Sequence, residues 1–226
     1  TDGSDVYFSY RPVGGAWGGN LRVNDDPGGS YRDQRTPAIA VDAAGNAHAV
    51  WNDRRNDSDD VYSAYRPAGG VWSANVRVND SAGRGTDPAI AVDASGNALA
   101  VWRDYRNGDS DIYFSLRPAG DSWGANCRVN DDEGAADQTL PALAVDAAGN
   151  AYAVWLDERS GSVDLYFAYR PAGGVWSANV RVNDAPGTVQ DWRTPTIGVD
   201  TDGNARAAWV DTRTYGALYS AYRPTI

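Results

Sequence analysis

A chain of 226 residues with a net charge of −10 is long enough for a sizeable core, and its acidity argues against nucleic acid or an anionic membrane as the main partner. All 20 cationic side chains are Arg, which excludes Schiff-base lysine chemistry; one His and one Cys leave catalytic triads, thiol catalysis, His-based zinc sites and an internal disulfide without their parts. No run of about 18 apolar residues is present for a membrane helix, and no Met-initiated charged and apolar leader opens the chain, which therefore reads as mature or trimmed.

The first element is a Tyr-rich strand at 5–12, which returns at 60–67, 111–118, 164–171 and 217–224, a spacing of about 50–55 residues. A Gly-Gly-x-Trp type turn follows it, ending in Trp17, Trp72, Trp123 or Trp176, and then an Arg-Val-Asn-Asp tetrad from Arg22, Arg77, Arg128 or Arg181. A Pro-started apolar stretch runs next into Val-Asp-x-x-Gly-Asn. In its first copy a strand is predicted over 37–42, with Ile39 and Val41 on one face and the small Ala38 and Ala40 on the other, as suits a strand crowded near a central axis. Gly45 and Asn46 tolerate positive φ and turn the chain. Strands that alternate with a period of two are predicted over 47–51 and 61–65, then a hairpin at 67–70 and a fourth strand over 72–78. His48 shares its strand-two position with Leu99, Tyr152 and Arg206 and is predicted to point outward. Cys127 stands where other copies carry Leu21, Val76 or Val180 and is predicted in the core.

Four short antiparallel strands repeated at about 50 residues describe a propeller blade, whereas a β-solenoid uses shorter coils and parallel stacking. The predicted fold is all-β: one domain over 1–226, a four-bladed β-propeller of four-stranded antiparallel blades. Three units are contiguous at about 37–80, 88–131 and 141–184. The fourth, 195–226, is completed by 5–25, so that the ring closes by pairing N- and C-terminal strands, with 17–24 as the outermost strand of the closing blade. One Tyr strand is then surplus. It either adds a fifth strand to that blade or pairs with another chain in a homo-oligomer.

The segment Tyr65-Arg-Pro-Ala-Gly-Gly-Val-Trp72, together with Pro-Ala-Ile-Ala-Val-Asp-x-x-Gly-Asn and Trp-x-Asp-x-Arg, resembles the bacterial neuraminidase repeat, or Asp-box, family of sialidase-like propellers over nearly the whole chain. Of the box Ser-x-Asp-x-Gly-x-Thr-Trp, only the Gly (Gly14, Gly69, Gly120, Gly173) and the Trp remain. The resemblance implies a secreted or extracellular protein. Sialidases of the family are six-bladed, with three Arg on the substrate carboxylate, a Tyr nucleophile supported by Glu, and an Asp acid/base. A four-unit chain does not map onto that arrangement, so the expected function is a non-catalytic propeller that binds glycan or a protein partner through its loop rim. The alternatives are a sialidase or related glycoside hydrolase, and a structural module of a longer array or assembly.

The pentads Trp51/Asp53/Arg55, Trp102/Asp104/Arg106, Trp155/Asp157/Arg159 and Trp209/Asp211/Arg213 fall at the end of strand two. As a set present in every unit they are expected to be structural, with Trp between blades and Asp bridging Arg, rather than a ring of ligand-binding charges. The tetrads offer oxygen ligands for Ca²⁺ without the dense spacing of a dedicated site, so turn capping is the expected role and no cofactor is expected. The loops entering strand one break the repeat. From these and the adjoining rim come the ligand-binding candidates Tyr31, Arg35, Arg84, Tyr105, Trp192, Arg193 and Tyr215, with aromatics to stack on sugar faces. Arg35-Thr-Pro37 and Arg193-Thr-Pro195 are similar to the Arg-x-Pro signature of a substrate-binding sialidase Arg. Glu158 and Tyr215 are the only unrepeated rim residues that suggest a glycosidase-like set.

Overall fold

The computed structural model describes residues 3–26, 32–82, 84–213 and 217–223. All regular structure among them is β. A short pair comes first, β1 (Tyr7–Phe8) with β2 (Leu21–Arg22). Three four-stranded antiparallel sheets follow. Blade one is β3 (Gln34–Val41), β4 (Ala47–Asp53), β5 (Asp60–Arg66) and β6 (Val76–Arg77). Blade two is β7 (Gly85–Val92), β8 (Ala98–Asp104), β9 (Asp111–Arg117) and β10 (Cys127–Arg128). Blade three is β11 (Gln138–Val145), β12 (Ala151–Asp157), β13 (Asp164–Arg170) and β14 (Val180–Arg181). A three-stranded sheet ends the chain: β15 (Thr196–Val199), β16 (Ala205–Asp211) and β17 (Ala217–Arg223).

The hairpin between the first two strands of each sheet turns on Gly45, Gly96, Gly149 or Gly203, at φ of 82°, 80°, 85° and 81°, where a Cβ would be strained. The preceding Asp fixes that turn; Asp42 Oδ1 accepts the backbone N–H of Ala44 at 3.0 Å and of Asn46 at 2.8 Å. The outermost strands are two residues long rather than seven, because the Gly-Gly-x-Trp turn occupies the first half of the predicted segment.

Each sheet turns one face to the sheet before it and the other to the sheet after it. Ala49, Trp51 and Ala64 of blade one pack against Val6 and Val23 of the N-terminal pair. Val50 and Val61, on the opposite face, pack against Ala100, Trp102 and Tyr113 of blade two. The pattern continues from Leu99, Val101 and Ile112 to Trp155 and Ala168 of blade three, and from Val154 and Leu165 to Trp209 of the last sheet. The strand-two indoles therefore form the seams between sheets. Trp51, Trp102 and Trp155 are fully buried, each removing about 150–250 Å² from water.

The expected closure differs from what is observed. Segment 17–24 supplies β2, which pairs with β1 and packs on blade one; among the described residues no ladder joins it to β17. Both terminal Tyr strands are paired, in different sheets. The blade-one face that would meet an inner strand of a preceding blade stays open, with Ile39 and Val41 at 52% and 60% exposure. On the last sheet Leu218, the counterpart of the fully buried Val61, Ile112 and Leu165, is 75% exposed. Two single-residue expectations also fail. His48 is buried, in the seam between blades one and two, because the neighbouring hairpin covers its side of β4. Cys127 is exposed, because β10 lies at the outer rim.

Candidate ligand-binding rim

The Trp-x-Asp-x-Arg residues sit where strand two leaves each sheet. In blade one, Asp53 is fully buried and its carboxylate accepts Trp51 Nε1 at 2.8 Å, Arg55 Nε at 3.0 Å and Arg55 Nη2 at 2.8 Å. Arg55 Nη1 reaches Asp25 of the preceding tetrad at 2.8 Å, and its guanidinium carbon lies 4.1 Å from the Tyr62 ring centroid. Burial works against the Arg55 charge, yet the hydrogen bonds it donates to Asp53 and Asp25 hold its pKa above the ordinary arginine value. Arg106 joins Asp104 to Asp80 in the same way, Arg159 joins Asp157 to Asp131, and Arg213 joins Asp211 to Asp184. These guanidiniums thus span consecutive sheets, and their donors face protein carboxylates.

The tetrad Asn residues are equally engaged. Asn79 accepts the Val61 N–H and donates to Asp60, and Asn24, Asn130 and Asn183 make the corresponding pairs. Among the described residues no group of three or more His, Cys, Asp or Glu stands close enough to hold a metal ion.

Near the axis the rim departs from repetition. The innermost strands open with a bulge between Arg35 and Ala38, Thr86 and Ala89, and Thr139 and Ala142. Thr36, Asp87 and Leu140, each immediately before a proline, have φ of 46°, 51° and 50°. Proline disfavours the right-handed helical region for the residue before it, and a left-handed non-Gly residue costs on the order of 1–2 kcal/mol, so packing must hold these bulges. They bound, with Pro37, Pro88, Pro141, Thr194 and Thr196, a cavity of about 310 Å³ shared by the four innermost strands. Among the described residues Asp87 is the only charged one on its wall.

Next to that wall lie Arg103 and Tyr105, neither repeated in the other units, and Asp137, the counterpart of Asp33 in blade one. The Arg103 guanidinium lies over the Tyr105 ring at 4.6 Å. Burial pushes the Tyr105 phenol up and the charges of Asp87 and Asp137 add to this, against Arg103 and Thr86. Tyr105 is therefore a protonated hydrogen-bond donor at neutral pH. Asp137 is anchored by Ser110, whose hydroxyl donates at 2.7 Å, and that bond holds its carboxyl below the usual range.

The last sheet supplies the largest departure. Val189 bridges Asp211 and Gln190 donates its backbone N–H to Val210 at 3.0 Å, but the β15 ladder resumes only at Thr196 opposite Ala208. Five residues, 191–195, replace the two-residue bulge of the blades. They carry Trp192, 62% exposed, with the Arg193 guanidinium 4.2 Å from its ring centroid. Arg35 and Arg193 are thus not equivalent: Arg35 lies in β3 and ion-pairs with Asp33, while Arg193 belongs to the interruption. Arg84 is exposed, and its carbonyl accepts the Tyr105 N–H at 3.0 Å. Tyr31 and Tyr215 lie outside the described residues, so the suggested Glu158/Tyr215 set does too. Arg103 and Asp87 were missed from sequence, although each breaks the repeat: Asn52, Leu156 and Val210 stand at the position of Arg103, and Thr36, Leu140 and Thr194 at that of Asp87.

No family model matches the chain and no curated protein matches it. Solved structures do, at low identity. The chain is similar to Penicillium chrysogenum α-L-arabinanase, solved with arabinobiose (TM-score 0.61, 15% identity, 99% of this chain and 68% of that one). It is similar to the GH93 α-L-arabinofuranosidase of Fusarium graminearum (TM-score 0.61, 14% identity, 98% and 67%). It is also similar to the Hadza microbial sialidase Hz136 (TM-score 0.57, 14% identity, 85% and 46%), so it spans less than half of that enzyme's length. Likeness at such identities establishes the fold, antiparallel propeller blades of a kind used by glycan-active enzymes.

Proposed function

We propose that this propeller binds glycan at the rim around its axial cavity and does not hydrolyse it. The carrying observation is the interruption of the last innermost strand, which sets the exposed Trp192 and its stacked Arg193 within two residues of the cavity wall. An exposed indole offers a flat apolar face for a pyranose ring, and the phenol of Tyr105 with the carboxylates of Asp87 and Asp137 supplies directed hydrogen bonds. The absence of turnover is inferred from the commitment of the repeated Asp and Arg residues to one another. Glycan-active neighbours support the ligand class. A secreted setting fits this reading.

A glycan array followed by calorimetry tests it. Binding should appear and weaken by roughly tenfold or more in Trp192→Ala, with no release of fluorophore from a sialoside or arabinofuranoside. Turnover abolished by Tyr105→Phe would replace this reading with a glycoside hydrolase. Binding unaffected by Trp192→Ala would move the site elsewhere.

A further inference from the structure

The seam between blades one and two departs from its neighbours at two positions. Where the N-terminal pair meets blade one, Trp72 packs edge-on to Phe8 at 5.3 Å, with the Arg66 guanidinium over Phe8. Where blade two meets blade three, Trp176 packs edge-on to Phe114 at 5.3 Å, with Arg170 over Phe114. Between blades one and two Ser63 replaces the phenylalanine. Trp123 Nε1 donates to Ser63 Oγ at 2.8 Å, and Arg117 lies over Tyr65 instead. The smaller side chain leaves a cavity of about 570 Å³ bounded by Ser63, Tyr65, Arg77, Arg117 and Trp123. A second cavity of about 510 Å³ adjoins it through Tyr65, Arg117 and Gly120, and reaches His48, Asn46 and Ser95. Both fall within the range of about 300–1,000 Å³ of small-molecule sites.

The second departure is His48, the only histidine of the chain. It is 3% exposed and neither ring nitrogen has a hydrogen-bond partner; the Asp42 carboxylate stands 3.9 Å from Nε2, beyond hydrogen-bond reach. At the same position of other sheets the side chain is apolar or paired: Leu99 in blade two, Tyr152 donating to Asp146 at 3.0 Å, Arg206 donating to Asp200 at 2.9 Å. Asp42 is already held by the N–H groups of Ala44 and Asn46 and by Asn46 Nδ2. Arg117 donates Nε to the Asp121 carbonyl at 3.0 Å, and no carboxylate of the described residues lies within 4.0 Å of Arg117 or Arg77. In a chain of net charge −10, one seam therefore holds the half-buried Arg117 guanidinium without a carboxylate partner beside a buried imidazole whose nitrogens make no hydrogen bond, while Arg77 stands exposed at its outer edge. Such groups are costly to bury unless something pairs with them.

We propose that this seam is a second binding site, for an acidic monosaccharide unit whose carboxylate is held by Arg117 and His48 and whose hydroxyls face Ser63, Ser95 and Asn46. It opens at the hairpin end of the sheets, away from the axial rim, and does not rest on the function proposed above. The single histidine makes the test direct. Proton NMR of the intact protein follows the His48 ring signals during titration with glucuronate, glucose and inorganic sulfate. Glucuronate should shift them saturably, with glucose and sulfate weaker by roughly tenfold or more. Arg117→Gln should weaken the response to a similar degree while Trp192→Ala leaves it unchanged. His48→Leu, which copies blade two, should abolish glucuronate binding by calorimetry while near-ultraviolet circular dichroism shows the fold retained. Equal response to sulfate would reduce the seam to a bare anion site, and equal response to glucose would remove the charge argument; either overturns the proposal, as does no shift at all.

Discussion

Replacing Trp102 by Ala removes a fully buried indole that packs with Val50 and Val61 of blade one and with Ala100 and Tyr113 of its own sheet. Loss of a buried aromatic costs about 3–5 kcal/mol through transfer and the cavity left behind. The Asp104 carboxylate also loses the Nε1 donor it holds at 2.9 Å. That carboxylate is fully buried and keeps its contacts with Arg106, so the lost bond adds about 1 kcal/mol rather than the full cost of an unpaired charge. Urea unfolding followed by tryptophan fluorescence and circular dichroism measures the sum. Trp192→Ala is the control, because an indole 62% exposed should cost no more than about 0.5 kcal/mol. His48→Ala does not serve as a neutral control, since that side chain is buried. Equal midpoint shifts for Trp102→Ala and Trp192→Ala would refute the assignment of the strand-two indoles to the seams.

Burial, with the Arg117 charge beside it, holds the His48 pKa below the ordinary imidazole value. Below pH about 6.5 the unfolded chain then takes up a proton that the folded chain resists, so stability should fall as pH drops from about 7.5 through that range and level off below the folded pKa. Urea midpoints of His48→Leu should lack this slope; an identical slope in the variant would refute it. Thr36→Gly, at a position with φ of 46°, should be neutral or stabilising by up to about 1 kcal/mol, whereas Thr36→Ala should give no such gain; thermal unfolding of both variants decides. Deleting 217–226 removes a strand paired along all of β16 and uncovers Trp209 beside Tyr219, 6.3 Å away. Truncation should lower the unfolding midpoint and bring association by light scattering, and an unchanged midpoint and mass would show the strand to be dispensable.

The blades were legible in the sequence because what makes them is local. Alternation of small and branched residues sets the strands, Gly at left-handed positions sets the hairpins with Asn and Asp bonding across the turn, and copies of Trp, Asp and Arg at fixed offsets meet the same neighbours in the three four-stranded blades. The axial rim was partly legible. Tyr105, Trp192 and Arg193 stand out against the repeat, but the Arg-x-Pro spelling that Arg35 and Arg193 share does not record which residues pair across the ladder, where the two are placed differently. What only the tertiary structure decided depends on contacts between distant segments. Residues 17–24 carry an outer-strand pattern that fits β1 or β17 equally well, and packing of Val23 on Trp51 places them with β1. His48 alternates like an outward residue, yet the next sheet covers it, and Ser63 matters only because Trp123, 60 residues later, has no ring to meet there. Strand periodicity records which face a side chain takes, whereas its burial is set by what the following sheet lays against that face.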